Sequence, residues 1–290
     1  MHGLGVPLAT PFEDDGAVDH AALADLAAWV VEAGADFLVP CGSNSEAELL
    51  TAAERAAVVE TVADAVPGDV PVLAGTGSPG LRETVEATRA AADAGADGAL
   101  VVTPFYYDHD QDGLAAYYRA VADASPLPVY LYSVPKYTGV ALEPETVGAL
   151  AAHGNVAGMK DSSGDLAAFQ RTRTATADAD FELFVGSGGV FAAALDAGAD
   201  GGVLALANVV PERAGEIRDR HVAGDDAAAR ECNRRVLELN TAVTATHGVP
   251  GLKAAMRSRG LPAGTVRSPH RPVDEETAAD LAALVEDALP

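Results

Sequence analysis

Short apolar runs recur along the chain, each followed by a longer stretch in which alanine, leucine and valine return at helical spacing. The runs are Gly3–Ala9, Phe37–Pro40, Val70–Ala74, Ala99–Val102, Val129–Tyr132, Val156–Met159, Glu182–Val185 and Gly202–Leu206. They read as strands buried on both faces, as the strands of a parallel sheet are. The stretches between them predict helices at Ala21–Glu32, Ala52–Val66, Arg82–Ala94, Asp112–Ala124, Pro144–Ala152, Leu166–Ala177 and Phe191–Ala197. Three junctions share one motif: Ala33-Gly34-Ala35-Asp36, Ala94-Gly95-Ala96-Asp97 and Ala197-Gly198-Ala199-Asp200. In each, an Ala-rich helix stops at a glycine suited to a left-handed cap and turns into a strand.

Eight strands alternating with helices, with no break in composition, predict an α/β fold of the (β/α)₈ TIM-barrel type. The barrel is expected over residues 1–210. Residues 211–290 would supply the last barrel helix and a C-terminal helical extension of the same unit, with helices at Glu212–His221, Ala227–Thr246, Gly251–Arg259 and Asp274–Ala288. A doubly wound open sheet is the alternative. It would want a Gly-x-Gly-x-x-Gly turn after the first strand, where none stands; Gly75-Thr76-Gly77 after the third lacks the last glycine.

Composition narrows the partners. A hydrophobic content of 49% supports a large core, and no apolar run is long enough to cross a bilayer. The formal charge of −24 disfavours nucleic acid and anionic membranes. The acidic residues are spread over helices and loops, and with lysine depletion they resemble proteins of salt-loving organisms. Two cysteines, Cys41 and Cys232, make neither a disulfide framework nor a metal-ligand spacing. The chain enters a strand without a basic leader, so a cytoplasmic location is expected.

Lysine is where the chemistry shows. Only Lys136, Lys160 and Lys253 occur, and arginine supplies the remaining basic side chains. Lys160 ends an apolar strand and opens the polar loop Asp161-Ser162-Ser163-Gly164. A lysine so placed can simply snorkel to water. It can also act chemically, because a desolvated lysine can lose its proton and only a free amine attacks a carbonyl.

In a barrel the catalytic face is the C-terminal end of the strands. The residues there are Cys41-Gly42-Ser43-Asn44-Ser45-Glu46, Gly75-Thr76-Gly77, Thr103-Pro104-Phe105-Tyr106-Tyr107, Tyr132-Ser133-Val134-Pro135, Lys160-Asp161-Ser162, Gly186-Ser187-Gly188 and Ala207-Asn208. This set holds an amine, tyrosines, hydroxyls and glycines. It suggests no metal centre and no clamp of cations for phosphate. It suits imine chemistry: Lys160 adds to a 2-oxo acid, the protonated imine accepts electrons, and Tyr132 moves a proton. Gly42, Ser43 and Asn44, ahead of a helix expected to start near Glu46, could hold a carboxylate, although such residues are also ordinary helix caps. Glu46 is expected to cap or buttress that loop, and Asp161 to cap the segment after it. The seven histidines show no ligand spacing and receive no role.

Gly42-Ser43-Asn44-Ser45-Glu46, Thr103-Pro104-Phe105-Tyr106-Tyr107, Tyr132-Ser133-Val134-Pro135 and Gly158-Met159-Lys160-Asp161 resemble, in order and spacing, the signatures of the dihydrodipicolinate synthase and N-acetylneuraminate lyase family. Tyr132 precedes Lys160 by 28 residues and Tyr106 precedes it by 54. The likeness extends to Gly201–Val209 and spans essentially the whole chain.

The resemblance implies a cofactor-free class I aldolase that uses or releases pyruvate. Lys160 would form the Schiff base, Tyr132 would shuttle the proton, and Ser43 would bind the carboxylate and relay protons. Tyr106 would reach a neighbouring subunit in a homotetramer built of dimers. Gly42, Asn44, Gly186, Val203 and Leu204 are candidate substrate contacts.

Two departures bear on substrate. Tyr137 stands where dihydrodipicolinate synthases place an arginine for the aldehyde's carboxylate. Gly-Ser-Asn-Ser-Glu replaces Gly-Thr-Thr-Gly-Glu. The chain looks closer to the 4-hydroxy-2-oxoglutarate and 2-keto-3-deoxy sugar-acid aldolase branches, with Lys136 near enough to the mouth to meet an anionic tail. The alternatives are a synthase condensing pyruvate with aspartate semialdehyde and a non-catalytic paralogue that binds a 2-oxo acid.

Overall fold

The protein is described by a computed structural model covering residues 1–289. Eight parallel strands form a barrel: β1 (Gly3–Val6), β2 (Phe37–Leu38), β3 (Leu73–Gly75), β4 (Gly98–Val102), β5 (Val129–Ser133), β6 (Val156–Asp161), β7 (Glu182–Val185) and β8 (Gly201–Val203). Neighbours follow chain order, with β8 against β1. The β2–β3 seam closes through a parallel bridge between Leu38 and Val72 and through Gly75 N–H, which donates to the Pro40 carbonyl at 2.9 Å.

Around the strands run α1 (His20–Glu32), α2 (Ala52–Ala65), α3 (Leu81–Asp93), α4 (Gln111–Ala124), α5 (Pro135–Thr138), α6 (Pro144–Ala151), α7 (Leu166–Ala175), α8 (Phe191–Asp196) and α9 (Pro211–Val222). Then come α10 (Asp226–Arg235), α11 (Leu237–Thr241), a π-helical turn over Ala242–Thr246, α12 (Gly248–Ser258) and α13 (Glu275–Ala288). The single helix expected over Ala227–Thr246 is therefore three pieces. Short α5 was not anticipated.

Part of the acidity is structural. The carboxylates of Asp19, Asp110, Asp165, Asp225 and Asp274 accept N–H groups at the starts of α1, α4, α7, α10 and α13. Each such cap is worth about 1 kcal/mol. Thr51 and Glu54 form a reciprocal capping box at α2.

The three Ala-Gly-Ala-Asp junctions each end in the same clasp. The glycines Gly34, Gly95 and Gly198 have φ of +102°, +92° and +92°, the left-handed turn that ends each helix. Each aspartate then bonds reciprocally to a residue beginning the neighbouring strand. Asp36 N–H donates to the Leu4 carbonyl (2.8 Å), and its carboxylate accepts Leu4 N–H (2.6 Å). Asp97 does the same to Val72 (2.9 and 2.8 Å), and Asp200 to Leu183 (3.0 and 2.7 Å). The motif satisfies strand-end donors that would otherwise be left unpaired.

Two apolar layers result. One lies between strands and helices. The other fills the barrel with Phe37, Leu73, Leu100, Tyr130, Phe184 and their neighbours. Gly5 makes room in that interior, since a Cβ there would lie 2.4 Å from the Phe37 ring. Tyr130 donates to Glu182 at 2.6 Å toward the strand starts.

Candidate active site

The β5–β6 register sets Tyr132 beside Lys160 on the inner face of the barrel. The ladder runs to Asp161, so Lys160 belongs to the strand itself and does not follow it. Its residue is 4% exposed, which removes the snorkelling alternative. The amine lies 4.4 Å from the centroid of the Tyr132 ring. Among the described residues no carboxylate comes within ion-pair distance of it. Tyr132, 6% exposed, directs its hydroxyl to the Ser43 hydroxyl at 3.4 Å.

Gly186, at the exit of β7, flanks the lysine stem. A Cβ there would meet Lys160 Cε at 2.9 Å and Ser162 Oγ at 1.9 Å. Asp161 is 6% exposed and accepts Ser163 N–H at 2.7 Å, the expected capping arrangement. Its burial raises the carboxyl pKa.

The helix expected near Glu46 is absent. Residues Ser43–Ser45 and Ala47–Leu49 form two 3₁₀ turns, and α2 begins only at Ala52. Between the turns Glu46 takes a left-handed conformation, φ 55° and ψ 38°. Glycine normally fills such a position, and the glutamate is held there by its contacts. Its Oε2 accepts Arg267 N–H (3.0 Å) and meets His270 Nδ1 (2.8 Å), while Oε1 forms an ion pair with Lys253 Nζ at 2.7 Å. Glu46 thus buttresses the turn, as its position in the motif suggests. Within the turn, Ser45 N–H and Ala47 N–H donate to the Gly42 carbonyl, and Glu46 N–H donates to the Ser43 carbonyl. The N–H groups of Ser43 and Asn44 have no acceptor among the described residues and remain free for an anion.

Tyr132 and Ser43 line a cleft of about 590 Å³, and Lys160 and Gly186 are not among its lining residues. Gly42, Ser43, Gly75, Val102, Phe105 and Tyr132 form its near side, and Tyr137, Thr244 to Pro250 and His270 its far side. The far wall was not foreseen. It comes from the π-helical turn and the start of α12, where the only signal in the chain is the breaker cluster Gly248-Val249-Pro250-Gly251. Lys136 also lines the cleft, but its amine donates to the Thr244 carbonyl at 2.9 Å. Cys41 lines it too; burial pushes its thiol up to about 12, which makes it a poor nucleophile.

Other sequence candidates fall outside the cleft. Tyr106 is 87% exposed at φ 82°, edge-on to Tyr107 at 5.0 Å between centroids. Val203 packs in the barrel interior and Leu204 in the outer layer. Asn44 is half-buried on the turn. Sequence spacing also concealed Asp196, His221 and Asp226, which meet where α8 and α9 end and α10 begins. Arg230 lies across the group, 2.8 Å from Asp196.

A buried amine beside a phenol, a hydroxyl and free N–H groups can form an imine with a keto acid and move protons around it. Comparison with known proteins gives the family. Residues 1–288 match the dihydrodipicolinate synthetase family. A DapA-like lyase of Halobacterium salinarum is 41% identical over 287 residues, covering 99% of this chain and 94% of that protein. The 4-hydroxy-tetrahydrodipicolinate synthase of Methanothrix thermoacetophila is 38% identical over 282 residues, covering 97% and 95%. Among solved structures, dihydrodipicolinate synthase DapA-2 of Bacillus anthracis superposes with TM-score 0.95 at 29% identity, covering 98% and 97%. YagE of Escherichia coli, solved in complex with pyruvate, superposes with TM-score 0.94 at 32% identity, covering 99% and 98%.

Proposed function

Since the chain belongs to the dihydrodipicolinate synthetase family, and is a lyase of the class I aldolase type, we propose that it cleaves a 2-oxo acid to pyruvate and an aldehyde through Lys160. The Lys160 amine adds to the C2 carbonyl, and loss of water leaves a protonated imine. Tyr132, backed by Ser43, takes the proton of the C4 hydroxyl. The C3–C4 bond then breaks, its electron pair moves into the imine to give an enamine, and the aldehyde leaves. Protonation at C3 and hydrolysis release pyruvate and the free amine. The Ser43 hydroxyl and the N–H groups of Ser43 and Asn44 hold the carboxylate, with Gly42 beneath them; Gly186 keeps the lysine in place. The observation that carries this reading is the dry Lys160 amine 4.4 Å from the Tyr132 ring.

The far wall bears on the substrate's tail. Tyr137 carries no charge for a second carboxylate, and Lys136 is engaged by Thr244. Val134, Tyr137, Ala245, Val249 and Pro250 make much of this side apolar. We therefore favour a neutral tail, as in a 2-keto-3-deoxy sugar acid, above 4-hydroxy-2-oxoglutarate. The same wall disfavours aspartate semialdehyde, although relatives named 4-hydroxy-tetrahydrodipicolinate synthase keep that condensation as the second reading. No helix among the described residues is long and apolar enough to cross a membrane. We place the enzyme in the cytoplasm as a homotetramer, in which the exposed Tyr106–Tyr107 pair would be covered by a neighbouring copy.

Borohydride reduction in the presence of pyruvate, followed by peptide mass mapping, tests the chemistry. The adduct is expected on Lys160; its absence overturns the reading. A panel of 2-oxo acids scored by pyruvate release then ranks the tails, with aspartate semialdehyde condensation run beside it.

A further inference from the structure

The reaction proposed above gives Lys253 no part. Lys253, in α12, is fully buried, and so is the side chain it pairs with, Glu46. Its amine donates to the Thr10 carbonyl at 2.7 Å and the Thr265 carbonyl at 2.6 Å, and forms an ion pair with Glu46 Oε1 at 2.7 Å. A compact ammonium can face three oxygens set around one point, and a planar guanidinium cannot. The Phe12 ring, 4.4 Å away, closes the remaining side.

This tripod ties together three parts of the chain that are remote in sequence. Thr10 lies on the exit of β1, Thr265 on the segment before α13, and Glu46 in the turn that carries Ser43 and Asn44. From Glu46 two further links lead to the chemistry. Glu46 N–H donates to the Ser43 carbonyl at 3.2 Å, and the Ser43 hydroxyl meets the Tyr132 hydroxyl at 3.4 Å. The left-handed backbone at Glu46 gives the turn its shape, and the contacts of the carboxylate hold that backbone in place.

Resting on the proposed aldolase reaction, we infer that Lys253 is a positioning residue. Acting through Glu46, it sets where the free N–H groups of Ser43 and Asn44 and the Ser43 hydroxyl stand relative to the Lys160 amine. Its effect is on capture of the substrate carboxylate and not on the amine itself. Loss of Lys253 lets the turn relax, while Lys160 and Tyr132, carried on β6 and β5, stay where they are.

The test compares two carbonyl compounds in borohydride trapping on the full-length protein: pyruvate, and hydroxyacetone, which lacks the carboxylate. In Lys253→Met the half-saturating pyruvate concentration is expected to rise by about tenfold or more, the size of a lost hydrogen bond to a charged group. Trapping of hydroxyacetone is expected to stay at the wild-type level. A merely structural lysine would weaken both in parallel, and that result overturns the inference, as does unchanged pyruvate capture. Should Lys253→Met alone fail to fold, Lys253→Met with Glu46→Gln leaves no buried charge unpaired and carries the same comparison. Failure of both to fold assigns the pair to stability alone and also overturns the inference. Wild-type protein that traps no pyruvate refutes the aldolase reading instead, so the two failures are distinguishable.

Discussion

Gly186→Ala places one methyl group against the reactive lysine. Gly186 has no left-handed φ, so alanine fits its backbone, and the effect is one of space alone. The new Cβ would lie 2.9 Å from Lys160 Cε and 3.0 Å from Ser162 Cβ. Carbon atoms prefer to sit about 3.5–4.0 Å apart, so the lysine stem must retreat by about 0.6–1 Å. Ser162 Oγ, at 1.9 Å, can rotate away; the lysine stem is confined by the barrel interior. A displacement of about 1 Å in a catalytic group costs on the order of a hundredfold in rate. The overpacking itself costs about 1–3 kcal/mol of stability.

The assay is kcat for pyruvate release from the best substrate of the panel, with a thermal melt alongside. Gly215→Ala in α9 is the control, because a Cβ there meets nothing within 4 Å. Gly186→Ala is expected to lose about a hundredfold in kcat with a modest drop in Tm, and the control neither. Activity of Gly186→Ala within about threefold of wild type would show that the amine does not depend on that contact, and the geometric argument would fail.

Other expectations follow from the same contacts. Lys160→Ala should abolish both turnover and the borohydride adduct while circular dichroism shows an intact fold; a residual adduct would place the nucleophile elsewhere. Tyr132→Phe keeps the ring but removes the proton carrier, so kcat should fall by about 10²–10⁴; full activity would refute the assignment. Glu54, hydrogen-bonded to Arg267, has its carboxyl lowered from 4.5 to about 2. A depressed carboxyl stabilises the fold above its unfolded pKa and loses that contribution as pH falls. The Tm deficit of Glu54→Gln should therefore shrink between about pH 4.5 and pH 2, and a constant deficit would argue against the linkage. With a formal charge of −24, Tm should rise from low to molar KCl as self-repulsion is screened; an unchanged melt would exclude that.

The fold was legible because a parallel strand buried on both faces leaves an apolar run whatever surrounds it. Strand ends were less so. The first run is apolar to Ala9, yet β1 stops at Val6, because apolar character continues into the packed exit loop after the ladder ends. The sixth apolar run ends at Met159 for the opposite reason: Lys160 and Asp161 are polar, yet both lie in the ladder. The turn around Glu46 looked like a helix start because Ser and Asn favour caps. Nothing local reveals that Glu46 is pinned from residues more than 200 positions away. The aspartate clasps share that opacity, since their partners are strands met only after folding. The far wall of the cleft was hidden because α11, the π-helical turn and α12 read as nearly continuous helix.

The scarcity of lysine now has a physical reading. Arginine serves the surface ion pairs, where a planar fork matches a carboxylate. Each lysine instead occupies a place where a single small nitrogen matters. Lys136 makes one bond to the Thr244 carbonyl and so ties α5 to the π-helical turn across the cleft. Lys253 meets two carbonyls and one carboxylate around one point. Lys160 has no acceptor among the described residues and is left with the one property arginine lacks, the ability to become a neutral nucleophile inside a dry barrel. On this view Lys136→Arg and Lys253→Arg are not conservative changes. The first should alter tail preference and the second pyruvate capture, and neither should prevent formation of the imine at Lys160.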